Sequence, residues 1–169
     1  MRLYDELADW WLLVSPIEHY AEEAAQYIEM IRGAAHGPMR DVLELGSGGG
    51  NNAFYMKRAF AMTLVEPSER MREVSRATNP DCTHLPGDMR DVRLGRTFDA
   101  VFVHDAVMYM TTEDDLRAAL ATAAAHVRPG GVVLVAPDAT TESYAEEPTL
   151  EGEDEPGGRS LRYVMWSFP

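Results

Sequence analysis

The chain has 169 residues, 46% of them hydrophobic and 25% charged, an ordinary composition for one globular domain with a substantial core. Fifteen basic residues stand against 28 acidic ones, and the formal net charge of −13 repels phosphate backbones and anionic lipid, so neither nucleic acid nor membrane is an expected partner. A single cysteine, Cys82, excludes an internal disulfide and is expected as a small buried residue on a strand; the histidines show no metal-ligand spacing, and the acidic start without a long apolar run predicts a cytoplasmic protein.

From the N-terminus, Tyr4, Leu7, Trp10, Trp11 and Val14 recur at helical spacing and predict an amphipathic helix lying on another surface. Ser15-Pro16-Ile17-Glu18 then has the form of an N-cap serine, a proline at the first helical position and a capping-box glutamate. A second helix is expected there, with Tyr20, Ala24, Tyr27, Ile28 and Ile31 on its apolar stripe and Gly33 and Gly37-Pro38 at its end. Residues 1–38 are thus expected as an N-terminal helical cap.

Residues 39–139 alternate strand and helix signals. Strands are expected over 42–45, 61–65, 82–85, 98–103 and 132–135. Helices are expected over 52–58, from the Ser68 cap to about Ala77 with Met71 in the core, and from the Thr112 cap through Leu116, Ala119, Leu120, Ala123 and Val127. Fully apolar strands alternating with helices specify an α/β, doubly wound, Rossmann-like fold with a mostly parallel sheet covered on both faces. Residues 140–158, acidic among prolines and glycines, read as a surface loop, and 159–169 hold one more candidate strand.

The most informative stretch is residues 42–51, Val-Leu-Glu-Leu-Gly-Ser-Gly-Gly-Gly-Asn, an apolar run entering glycines that let a ligand approach bare backbone. A dinucleotide fingerprint started at Gly46 needs a third glycine where Asn51 stands, and no Gly-Lys-Ser or Gly-Lys-Thr of a phosphate loop follows. About 20 residues after Gly46, at the end of the second strand, Glu66 is placed to accept from both hydroxyls of a ribose; the other reading is a solvated strand-end acid. Gly87-Asp88-Met89 follows the third strand, where Gly-Asp alone equally fits a surface turn. His104 and Asp105 leave the fourth strand at the edge where open α/β sheets bind ligands.

The spacing Glu44-x-Gly46-x-Gly48-x-Gly50, with Glu66, Gly87-Asp88-Met89-Arg90 and the stretches 98–110 and 126–135, resembles the class I methyltransferases, which bind S-adenosylmethionine. The resemblance implies a cofactor site made of Glu44, Leu45, Gly46, Ser47, Gly48, Gly50 and Asn51, with Glu44 toward the ligand's ammonium group. Glu66 and Pro67 would lie at the ribose and adenine edge, Asp88 at the adenine amino group and Met89 against the ring. His104 occupies the motif IV position, either as a base for an amine or hydroxyl or as a wall of the pocket. Tyr4 and Tyr20 are either packing residues or aromatic closures of the pocket.

The implied activity is methyl transfer from S-adenosylmethionine, leaving S-adenosylhomocysteine, to a nitrogen or oxygen of a small-molecule acceptor. The family's sheet has seven strands, and the five or six counted here lead to the expectation of a C-terminally short chain whose exposed edge favours a homodimer. Two other readings remain: a non-catalytic S-adenosylmethionine-binding module, and an NAD-dependent oxidoreductase, for which the phosphate-facing glycine is missing.

Overall fold

The computed structural model describes residues 2–144, 149–154 and 157–165. Strands β1 (Asp41–Leu45), β2 (Ala61–Val65), β3 (Thr83–Leu85), β4 (Phe98–Val103) and β5 (Val127–Val135) are joined in the order β3-β2-β1-β4-β5, every pair parallel. The helices are α1 (Trp11–Val14), α2 (Ala21–Ala34), α3 (Asn51–Met56), α4 (Glu69–Thr78) and α5 (Glu113–His126).

The strands are apolar on both sides because both sides are covered. Val42, Met62, Leu64, Ala100 and Phe102 pack on Ala24 and Ile31 of α2 and Ala53 and Met56 of α3. The alternate positions Leu43, Leu45, Val65, Val101 and Val103 pack on Ala119 and Ala123 of α5. This two-residue alternation fixes the register, since a one-residue slip would exchange the two cores. Truncating one of these buried side chains to alanine costs roughly 2–5 kcal/mol. The expected caps form: Ser68 Oγ accepts from Met71 N at 3.3 Å and Thr112 Oγ1 from Asp115 N at 3.1 Å. Met71 is fully buried, as expected.

Five expectations are corrected. The N-terminal segment is two 3₁₀ turns, Arg2–Tyr4 and Ala8–Trp10, followed by the short α1, because it bends along the end of the sheet. Ser68 Oγ holds Tyr4 O at 2.6 Å and Arg70 grips Asp9 at 2.9 and 3.0 Å. Ser15 does not cap the next helix; its hydroxyl meets Tyr20 OH at 2.6 Å and Asn51 Nδ2 at 3.3 Å, and Pro16 precedes the 3₁₀ turn Ile17–Tyr20 without a side-chain cap. β5 begins at Val127 rather than 132, running through Gly130 with an irregular register opposite Phe98 and Ala100.

The fourth correction concerns the expected acidic loop. Part of it is β6 (Thr149–Asp154), antiparallel to β7 (Ser160–Met165) in a separate two-stranded sheet. Its acids support the pairing rather than opposing it: Arg162 reaches Asp154 at 3.0 Å and Tyr163 OH donates to Glu151 at 2.8 Å. Glu146, Glu147 and Glu155 of that loop, and 166–169 of the expected last strand, lie outside the described residues. Cys82 is half-buried in the turn before β3 rather than on the strand.

Candidate active site

After β1 the chain winds outward through β2 and β3, then returns to place β4 and β5 on the other side of β1. That reversal between β1 and β4 leaves a crevice beyond the strands' C-terminal ends. The crevice is a cleft of about 500 Å³, within the range of small-molecule sites. Tyr4, Tyr20, Glu44, Gly46, Ser47, Gly48, Asn51, Glu66, Pro67, Asp88, Met89 and His104 all line it. Leu45 and Gly50 do not: Leu45 is in the core, and Gly50 ends the turn against Ser75 and Asn79, whose Nδ2 donates to its carbonyl at 3.0 Å.

The glycine turn is shaped by close approach. Gly46 has φ +74°, and a Cβ there would lie 2.3 Å from the Ala106 Cβ and 2.8 Å from the Met89 Cε. Its N–H and that of Ser47 both donate to Val65 O, at 2.8 and 3.1 Å, which pins the turn to β2. Below it, Glu44 is 3% exposed, and burial, with the charges of Glu66 and Glu23 adding to it, pushes its carboxyl up to about 8. Its Oε2 is buried without a hydrogen-bond partner.

Glu66 accepts from Ser68 N at 2.9 Å through Oε1 and from Gly48 N at 3.0 Å through Oε2, so one carboxylate clasps the turns after β1 and β2. Burial raises its pKa, with the two amides and Arg72 acting against that shift. Arg72, itself buried, donates to the carbonyls of Glu66 and Pro67 and pairs with Glu69, fixing the strand-end turn. Asp88 is bound through both oxygens by Arg90, at 3.0 and 2.6 Å, and these bonds hold it below the usual carboxylate range.

The rim is made by the N-terminal segment. Trp11 Nε1 donates to Asn51 Oδ1 at 3.2 Å, Asn51 Nδ2 donates to Ser15 O at 2.8 Å, and the Tyr4 and Tyr109 hydroxyls meet at 2.5 Å. Burial and the Tyr109 hydrogen bond raise the Tyr4 pKa far above an ordinary phenol.

At the end of β4 the His104 ring stacks on Phe102 and lies edge-on to Tyr20 and Tyr27. Asn52 Nδ2 donates to Glu23 Oε1 at 3.0 Å and faces His104 Nδ1 at 3.3 Å, while His104 Nε2 is 3.0 Å from Asp105 Oδ1. Burial lowers the His104 pKa, so the ring is neutral near pH 7. Asp105 touches Asp138 carboxyl to carboxyl; burial first, then Asp138 and Glu23, push it up to about 9.

Among the residues that the glycine pattern does not reveal are Trp11, Asn52 and Tyr109, which reach the cleft from the N-terminal segment, the first turn of α3 and the 3₁₀ turn Asp105–Tyr109. For Asn52 a signal was available: a carboxamide in the first turn of a helix that follows a glycine turn. Glu23, on α2, touches the site at Asn52 and His104.

Comparison with known proteins adds to this geometry. Residues 42–131 match a family profile described as a methyltransferase domain. The chain is 37% identical over 129 residues to the dTDP-3-amino-3,4,6-trideoxy-alpha-D-glucopyranose N,N-dimethyltransferase of Streptomyces venezuelae, covering 75% of this chain and 54% of that one. Its fold superposes on Streptomyces venezuelae DesVI with a TM-score of 0.78 at 34% identity, over 86% of this chain and 62% of the other. With S-adenosylmethionine-bound CalS10, an amino pentose methyltransferase of Micromonospora echinaspora, the TM-score is 0.75 at 30% identity, with the same coverage of 86% and 62%. The chain thus spans less than two thirds of the length of these relatives.

Proposed function

The chain belongs to the class I S-adenosylmethionine-dependent methyltransferases, and from that membership we propose that it methylates an amine of a small molecule, with amino sugars as the substrate class. The observation that carries this reading is a set of unsatisfied acceptors. Glu44 Oε2, Ser47 Oγ, Asn52 Oδ1 and Asp105 Oδ1 are buried without a hydrogen-bond partner, and all four residues line this same cleft. Buried polar atoms without partners are costly, so a cleft lined with them suits a ligand rich in N–H and O–H donors.

The residues fit S-adenosylmethionine. Glu44 and Ser47 offer acceptors to its ammonium group, Gly46 and Gly48 leave room above bare backbone, and Glu66 keeps lone pairs for ribose hydroxyls beyond its two amide bonds. Asp88, ionised and held by Arg90, would accept from the adenine amino group, with Met89 beside it on the cleft wall. When bound, the cofactor supplies a methyl carbon made electrophilic by a positively charged sulfur. The protein's part is to orient the acceptor and exclude water, with the Tyr4, Trp11 and Tyr109 rings closing the rim. His104, neutral and with Nδ1 facing the Asn52 amide, serves as a wall of the acceptor side.

Calorimetric titration with S-adenosylmethionine and S-adenosylhomocysteine, followed by a methyl-transfer assay on dTDP-3-amino-3,4,6-trideoxyglucose, tests the proposal. Wild type should bind both nucleosides, and Glu66→Ala should bind them roughly tenfold or more weakly. Absence of binding to wild type would remove the cofactor assignment; binding without turnover of the amino sugar would favour the non-catalytic reading.

A further inference from the structure

The acceptor end of the cleft holds two orphaned oxygens on either side of one imidazole. Asn52 is 3% exposed, and both protons of its amide are directed at acceptors, Glu23 Oε1 and His104 Nδ1. That pairing fixes which way the carboxamide points, because the flipped amide would set its oxygen against a carboxylate. Its Oδ1 is left buried and unpartnered in a residue that lines the cleft. Across the ring, Asp105 Oδ1 is also buried and meets no donor: His104 Nε2 lies 3.0 Å away without the alignment of a hydrogen bond. The Asp105 carboxyl in turn touches that of Asp138, which stands exposed at the edge of the site.

Two buried acceptors that no donor hydrogen-bonds suit a group carrying several N–H protons, and a hydroxyl could satisfy only one of them. An acceptor amine is mostly protonated near neutral pH and must lose a proton before its lone pair can attack. Building on the amine methylation proposed above, we propose that Asn52 Oδ1 and the Asp105 carboxyl hold the acceptor's amino group, and that Asp105 takes its surplus proton while passing its own to Asp138 and so to solvent. The balance closes: the ammonium becomes an amine, Asp105 keeps one proton throughout, and Asp138 releases one proton to water. The groups facing Asp105 are Glu23, Tyr20 and Tyr27 from the N-terminal helices, His104 beside it on the chain, and Asp138 after β5. None of these is a cation near neutral pH, so the site draws a positively charged amine. Burial keeps Asp105 protonated up to about 9, as the carrier of a relay requires.

The test compares dTDP-3-amino-3,4,6-trideoxyglucose with its 3-hydroxyl isostere dTDP-4,6-dideoxyglucose, by calorimetry on protein saturated with S-adenosylhomocysteine. Wild type should prefer the amine by roughly tenfold or more, and Asp105→Asn should lose that preference. Asp138→Asn, an exposed change that spares the fold, should leave amine affinity intact while lowering kcat roughly tenfold or more. Retained amine preference in Asp105→Asn would overturn the cradle, and wild-type kcat in Asp138→Asn would overturn the relay; both leave amine methylation standing. A wild type that methylates no amine would overturn this inference together with the function beneath it.

Discussion

Glu44→Gln should stabilise the ligand-free protein and weaken its cofactor binding, with a sign that changes with pH. In the folded chain burial raises the Glu44 carboxyl to about 8. A carboxyl whose folded pKa lies above its unfolded value supports folding fully below the unfolded pKa, and that support is lost as pH rises toward the folded one. At 1.36 kcal/mol per pH unit, keeping this carboxyl protonated in the fold at pH 7, where the unfolded chain ionises it, costs about 3 kcal/mol relative to pH 4.5. Glutamine cannot ionise and escapes this cost, but it leaves a buried amide imperfectly paired, a loss of about 1–2 kcal/mol. The net gain is about 1–2 kcal/mol, or a Tm higher by about 2–8 °C for a chain of this size. Near pH 5 the unfolded chain ionises this carboxyl far less and the cost is below about 1 kcal/mol, so there the variant should be the less stable. S-adenosylmethionine should reverse the order at neutral pH, because the charge-assisted bond to its ammonium is worth roughly 1.5–3 kcal/mol. Thermal unfolding followed by circular dichroism at the two pH values, with and without ligand, reads all of these differences. A variant destabilised equally at both pH values, or stabilised by ligand as much as wild type is, would refute the reasoning.

Two further outcomes separate ligand residues from scaffold. Gly46→Ala places a Cβ 2.3 Å from Ala106 at a left-handed φ, whereas Gly95→Ala, also left-handed, has nothing within 4 Å. In urea unfolding the first should cost roughly 2–4 kcal/mol and the second about 1 kcal/mol, with cofactor affinity falling only in the first; equal costs would mean that crowding at Gly46 is unimportant. Asp99 accepts from Arg40 N at 2.7 Å and Asp41 N at 3.0 Å and pairs with Arg128, far from the cleft. Burial acts to raise its pKa, but these partners outweigh it and the net shift is downward. The stability it confers is therefore present above the unfolded pKa and lost as pH falls through the folded one. Asp99→Ala should cost roughly 2–4 kcal/mol at neutral pH, less in acid, with cofactor affinity unchanged; a loss independent of pH would contradict the assignment.

The parallel core was legible in the sequence because its strands carry apolar residues on both faces, a pattern only a sheet covered twice can satisfy. Val42, Leu43 and Leu45, each fully buried, are the instance. The segments that escaped are those whose local preference lost to tertiary partners. Ser15 has the sequence of a cap yet bonds Tyr20 and Asn51, and the glutamate-rich stretch before Ser160 pairs as β6 because Arg162 and Tyr163 stand opposite its acids.

The gathering of Glu44, Gly46, Glu66 and Asp88, the residues we propose for the cofactor, around one cleft was legible in the sequence alone, since they lie at the ends of successive strands and a parallel sheet must bring those ends together. In the half we propose for the acceptor, the sequence marked only His104 and Asp105 at the end of β4, and tertiary structure alone brought Glu23, Asn52 and Asp138 to them. Glu23, Asn52, His104, Asp105 and Asp138 come from four separate segments with no spacing that links them. Their chemistry arises from burial and mutual contact: the Asn52 oxygen is orphaned because its amide protons are spent on Glu23 and His104, and the Asp105 carboxyl keeps its proton because it is buried beside other acids. Desolvation and hydrogen-bond competition depend on distance in space, which a linear pattern of residues does not carry.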